Sequence, residues 1–194
     1  METRVQTGER TLALGAVAGV VAGIPMALWM MAYSAATGSG FATPLNVCWA
    51  YFVYRGEMQT ALSDAMVHPG MAMMDEPVQA SHLAVGTLLH FGFAAVVGAA
   101  FAVVILTAVR VLRLPALRTR LGYTAASLTG AILLYLLMVY AILPWANPFI
   151  VDMTPRGTFF VGHVVYGVVF GLTAFALVRP DRMAVAAAPV ARPV

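Results

Sequence analysis

Four stretches of this chain contain no Asp, Glu, Lys or Arg: residues Thr11 to Tyr54, Pro77 to Val109, Leu121 to Val151 and Gly157 to Val178. A helix needs about 20 apolar residues to cross the hydrocarbon core of a bilayer, so each stretch can hold one crossing. The composition agrees, with 61% hydrophobic and only 10% charged residues, against roughly a quarter charged in ordinary soluble domains. Water would not keep such a surface in solution. The expected fold is all-α, an integral membrane four-helix bundle forming a single domain over residues 1–194. Helices are expected near 12–36, 83–109, 121–144 and 158–178, with a tail over 179–194. The apolar run from Leu12 to Ala36 exceeds the 7–15 residues of a typical signal-peptide core, so it reads as a retained span.

The basic residues are all arginine, and their placement predicts orientation. Arg4 and Arg10 precede the first span, Arg110, Arg113, Arg118 and Arg120 lie between the second and third, and Arg179, Arg182 and Arg192 follow the fourth. The other two loops have one each, Arg55 and Arg156. Arginine-rich short segments stay in the cytoplasm, which puts both termini and the 110–120 loop inside. Charges that flank apolar runs are topology signals, and nothing here favours nucleic acid. The single cysteine, Cys48, cannot form an intrachain disulfide and reads as a buried thiol.

The first outer loop is long, covering about 37–80. Its segment from Pro44 to Tyr54 is aromatic but too short to cross. It is expected to form an interfacial or re-entrant helix, with Trp49, Tyr51 and Tyr54 at headgroup depth.

The chain carries an internal similarity. Leu14-Gly15 aligns with Leu121-Gly122, and at that offset Gly23 meets Gly130 and Tyr33 meets Tyr140. Separately, the stretch from His90 to Gly98 aligns with that from His163 to Gly171. This predicts two tandem helical hairpins, 12–109 and 121–178, related as a parallel repeat about the membrane normal. Pro25 is expected to kink the first span, which membrane helices tolerate.

Small residues recur every four positions: Gly15, Gly19 and Gly23 on the first span, Gly98 on the second, Gly167 and Gly171 on the fourth. In lipid such ridges mark helix-packing faces, because association depends on close backbone approach. They can serve the bundle itself or dock a partner subunit, and three ridges on four helices motivate the second use.

Two histidines, His90 and His163, lie within spans at similar depth. An ionisable group there invites a functional reading. Paired imidazoles can ligate haem iron or copper, relay protons, or bond to a neighbouring helix backbone. The first outer loop adds Met66, His68, Met71, Met73 and Met74, with His82 nearby. Thioether and imidazole groups suit Cu(I), although methionine is equally an adaptable apolar filler.

No phosphate-binding glycine loop, HExxH or nucleophile elbow occurs, so no enzyme is expected. The Gly19-Val-Val-Ala-Gly23 stretch, the histidine-led second span ending in Arg113-Leu-Pro, and the Gly162-His163 pair opening the fourth span resemble the YagU-like family of bacterial inner-membrane proteins. That resemblance implies a multi-pass protein of the bacterial inner membrane and supplies no catalytic residues. The expectation is a non-catalytic accessory or scaffolding subunit of a larger membrane complex, such as a respiratory or redox assembly. Its partners would be lipid and other membrane subunits, with no soluble substrate. The alternatives are a small haem- or copper-binding membrane protein facing the periplasm, and a small transporter or channel.

Overall fold

The computed structural model describes residues 2–38, 40–45, 48, 80–112, 114–146 and 155–178, with backbone only for 2–7 and 146. Among these, four helices dominate and no strand occurs. They are α1 (Glu2–Ala36), α2 (Ala80–Val111), α3 (Arg120–Leu137) and α4 (Arg156–Val178). Four segments are long and apolar enough to cross a membrane: Gly8–Ala36, Ala80–Val111, Arg120–Trp145 and Arg156–Val178. The expected spans fall inside them. The main difference is at α1, whose helix begins some ten residues before the expected start. Residues 2–10 are polar but contain no proline, so the helix can run on past its apolar part.

The core cluster is mostly small and aromatic: Ala18, Ala22, Ala94, Ala102, Ala131, Ala174, Tyr123, Tyr166 and Phe170, with Ile105. The outside is Leu, Val and Trp, with Leu88 73%, Leu121 81% and Trp145 80% exposed. A soluble monomer rarely leaves such large apolar patches in contact with water. Many big aliphatic residues face outward, while Leu106, Val109, Val139, Leu143 and Val178 are buried toward the helix ends, and the small residues let the helices meet, as in a bundle packed in lipid. This protein is a multi-pass membrane protein.

Contacts fix the arrangement. Gly15 faces Ala102, Gly19 faces Ala94 and Gly98, and Gly23 faces Phe91 and Ala94. Residue numbers rise on α1 as they fall on α2, so the two are antiparallel. Likewise Gly171 meets Thr124 and Ser127, while Gly167 meets Ser127, Leu128 and Ala131, so α3 and α4 are antiparallel. Met26 and Met30 of α1 lie against Gly162 of α4. Around the bundle the order is α2, α1, α4, α3. The α1–α2, α1–α4 and α3–α4 seams are extensive, whereas α2 and α3 touch little.

Chain direction gathers the N-terminus and the α2–α3 loop at one end, called here the arginine end. That loop is compact. A 3-10 turn over Pro115–Arg118 leads to Thr119, whose hydroxyl donates to the Ala116 carbonyl (2.8 Å) and accepts from the Gly122 N–H (3.0 Å). Thr119 thereby caps α3. Gly122 has no alternative, because a Cβ there would collide with the Ala116 carbonyl oxygen.

At the opposite end α3 passes into a π-helical turn over Met138–Ile142 and resumes as α-helix over Leu143–Ala146. Pro144 has no N–H for the Tyr140 carbonyl, and the chain answers by widening the preceding turn, with the Leu143 N–H donating to Met138. Exposed Tyr140 and Trp145 mark this end, as aromatic residues do at a membrane interface. Pro25, expected to kink α1, leaves its helical assignment unbroken. Of the segment expected as an interfacial helix, Pro44, Leu45 and Cys48 are helical, and Trp49, Tyr51 and Tyr54 lie outside the described residues.

Candidate functional site

The two span histidines come from corresponding places on α2 and α4. The phenolic hydroxyl of Tyr166 on α4 donates to the Ala94 carbonyl on α2 at 3.0 Å, which sets the relative level of these two helices. His90 is four residues before Ala94 and His163 three before Tyr166, so at 1.5 Å per residue both sit roughly 5–6 Å beyond that bond, away from the arginine end.

Each imidazole faces a backbone carbonyl. His90 Nε2 lies 3.1 Å from the Gly23 oxygen on α1. His163 Nδ1 lies 2.9 Å from the Phe159 oxygen, one turn earlier on α4. A carbonyl only accepts, so the nitrogen facing it carries the hydrogen. The nitrogen left with a lone pair is therefore Nδ1 on His90 but Nε2 on His163. His163 is 4% exposed and enclosed by aromatic rings, with centroids of Phe159 at 4.4 Å and Tyr135 at 5.6 Å. His90 has the Phe91 ring edge-on at 5.1 Å. Haem or copper ligation would have to use Nδ1 of one and Nε2 of the other. Among the described residues no group of three or more His, Cys, Asp and Glu is placed to hold a metal ion. Met66, His68, Met71, Met73 and Met74 lie outside the described residues.

Histidine bonding belongs to a wider pattern that the sequence reading missed. Trp29 Nε1 on α1 donates to the Thr158 carbonyl on α4 at 3.1 Å. The Tyr135 hydroxyl on α3 reaches the Arg156 carbonyl at the start of α4 at 3.3 Å. With His90 and Tyr166, every extensive seam and the α2–α4 diagonal carry a side chain bonded to the backbone of another helix. The available signal was Tyr and Trp placed inside spans, since these rings normally find a partner when buried.

The six ridge glycines, Gly15, Gly19, Gly23, Gly98, Gly167 and Gly171, all face other helices of this bundle. A Cβ on Gly98 would stand 2.6 Å from Gly19 Cα, and one on Gly171 would stand 2.6 Å from Thr124 Cα. The ridges are taken up internally, so their surplus is no argument for a partner. The repeat register also needs correction. In contacts, Ser127 occupies the place of Gly19, and Ala131 that of Gly23, one residue later than the alignment of Gly23 with Gly130. One residue is about 100° around a helix. Gly130 consequently faces Phe101 of α2, and Gly122 faces the loop.

One region is left unsatisfied. Toward the arginine end, the Tyr123 hydroxyl and Thr124 Oγ1 are buried with no hydrogen-bond partner among the described residues. Tyr123 is fully buried, edge-on to Phe175 at 6.0 Å.

Comparison with protein-family models, curated proteins and solved structures finds no match.

Proposed function

We propose that this protein is a non-catalytic accessory or scaffolding subunit of a larger membrane complex in a bacterial inner membrane, with both termini in the cytoplasm. The observation that carries this reading is the use made of polar groups inside the spans. His90, His163, Tyr135, Tyr166 and Trp29 each bond to a backbone carbonyl, four of them on another helix. Groups that a transporter or redox protein would keep for substrate or metal are here bonded to backbone, and four of the five hold one helix to another. With the glycine ridges internal, partner contacts fall to the first outer loop. Its Trp49, Tyr51, Tyr54, Met66, Met71, Met73 and Met74 are residue types enriched at interface cores. The resemblance to YagU-like proteins points to the same kind of membrane but adds no activity.

The test is purification from native membranes in polymer-bounded lipid discs, followed by cross-linking and mass spectrometry. The expected result is a stoichiometric partner with cross-links into residues 46–79. Isolation as a lone monomer would overturn the reading. Absorbance and metal analysis of the same preparation decide the haem and copper alternative, since bound cofactor lost in His90→Ala and His163→Ala variants would establish it instead.

A further inference from the structure

We infer that an anionic phospholipid docks at the arginine end of the α2–α3 seam, its acyl chains along the seam and its phosphate on Arg118 and Arg120. The inference is independent of the partner reading and starts from an asymmetry of the bundle. Three of the four seams between neighbouring helices are closed by extended packing, and the fourth, between α2 and α3, is not. At mid-depth Phe101 of α2 covers Gly130 of α3, with the Phe170 ring across from it at 5.7 Å, and nearer the arginine end Ile105 of α2 and Tyr123 of α3 are buried in the common core beneath. One turn from Phe101 toward the arginine end lies Val104, 65% exposed. The matching position on α3, one turn from Gly130, is Ala126, too small to reach across. Among the described residues the seam is left as a shallow apolar groove over Ile105, and in a membrane such a groove fills with hydrocarbon.

Charge selects which lipid. The loop closing this same groove carries Arg110, Arg113, Arg118 and Arg120 with no acidic residue between them. Arg118 and Arg120 are exposed, and between them the Thr119 cap holds the turn in a fixed shape. Exposed Val111, Leu112, Leu114 and Leu121 surround it, which places these arginines at headgroup level. Basic clusters joined to an intramembrane groove hold anionic headgroups, and guanidinium groups match phosphate oxygens in pairs.

The test uses the full-length protein in discs made with equal phosphatidylglycerol and phosphatidylcholine, released into mild detergent for native mass spectrometry. The protein is expected to retain phosphatidylglycerol. The double variant Arg118→Gln, Arg120→Gln is expected to lose that preference by roughly fivefold per charge. Val104→Trp, which fills the groove without touching charge, is expected to release the lipid as well. Arg10→Gln, at the same end but on α1 across the bundle from α3, is expected to leave retention within twofold. Equal retention of the two lipids overturns the proposal, as does an Arg10→Gln loss equal to that of the double variant. Retention undiminished in Val104→Trp overturns the seam placement, and displacement by glycerol 3-phosphate would assign the arginines to a free phosphate ligand.

Discussion

Tyr166 and Ala94 are joined by a 3.0 Å hydrogen bond from a side chain of α4 to the backbone of α2, through the middle of the bundle. Tyr123, also fully interior, has a hydroxyl with no partner among the described residues. The same substitution should therefore act with opposite sign at the two positions. Tyr166→Phe removes a made bond, and side-chain bonds between helices in lipid contribute about 0.6 to 2 kcal/mol, so the variant should lose roughly 1 kcal/mol. Tyr123→Phe removes a buried hydroxyl whose desolvation no described residue offsets and should gain a similar amount. Equilibrium unfolding in mixed micelles measures both, and two changes of the same sign would refute the assignment.

Glycines on and off the α1–α2 face give a second contrast. A Cβ at Gly98 would meet Gly19 Cα at 2.6 Å, whereas one at Gly92 would meet nothing within 4 Å. Gly98→Ala should cost about 1–3 kcal/mol through forced separation of the helices. Gly92→Ala should be neutral or stabilising by up to about 1 kcal/mol, from helix propensity. Comparable losses at both sites in the same unfolding assay would mean that close backbone approach does not hold α1 to α2.

Spans were legible in the sequence because charge exclusion from hydrocarbon is strong and continuous, and it fixed all four helices to within a few residues except at the start of α1. Which face of each helix turns inward was less legible. The alignment of Gly23 with Gly130 selected a residue that faces Phe101 instead of α4, because apolar sequence offers many matches one position apart. Partners of Tyr166, Trp29 and Tyr135 were not legible at all, since their acceptors are backbone carbonyls, which every residue supplies. A backbone partner for His90 and His163 was among the readings, and the bundle supplies one at each, from α1 for His90 but from α4 itself for His163.

Cys48 gives a pH-dependent expectation outside the spans. Burial pushes its thiol up to about 11, from an ordinary value of 9.0. The thiolate is the reactive form, and a raised value means it is withheld until more alkaline pH. Iodoacetamide alkylation of folded protein should still be rising between pH 10 and 11, whereas that of unfolded protein should be half-maximal near pH 9 and level off above pH 10. Half-maximal alkylation of folded protein near pH 9 would show a solvated thiol.

The proposed placement in the membrane depends on a bundle that crosses the bilayer four times with its arginine end in the cytoplasm. Accessibility of single cysteines in intact cells tests that most directly, using Ala116→Cys in the α2–α3 loop and Ala36→Cys at the far end of α1, each in a Cys48→Ala background. Both positions are exposed. The account predicts that an impermeant maleimide labels Ala36→Cys in intact cells and labels Ala116→Cys only after the membrane is opened. Labelling of Ala116→Cys in intact cells would contradict it.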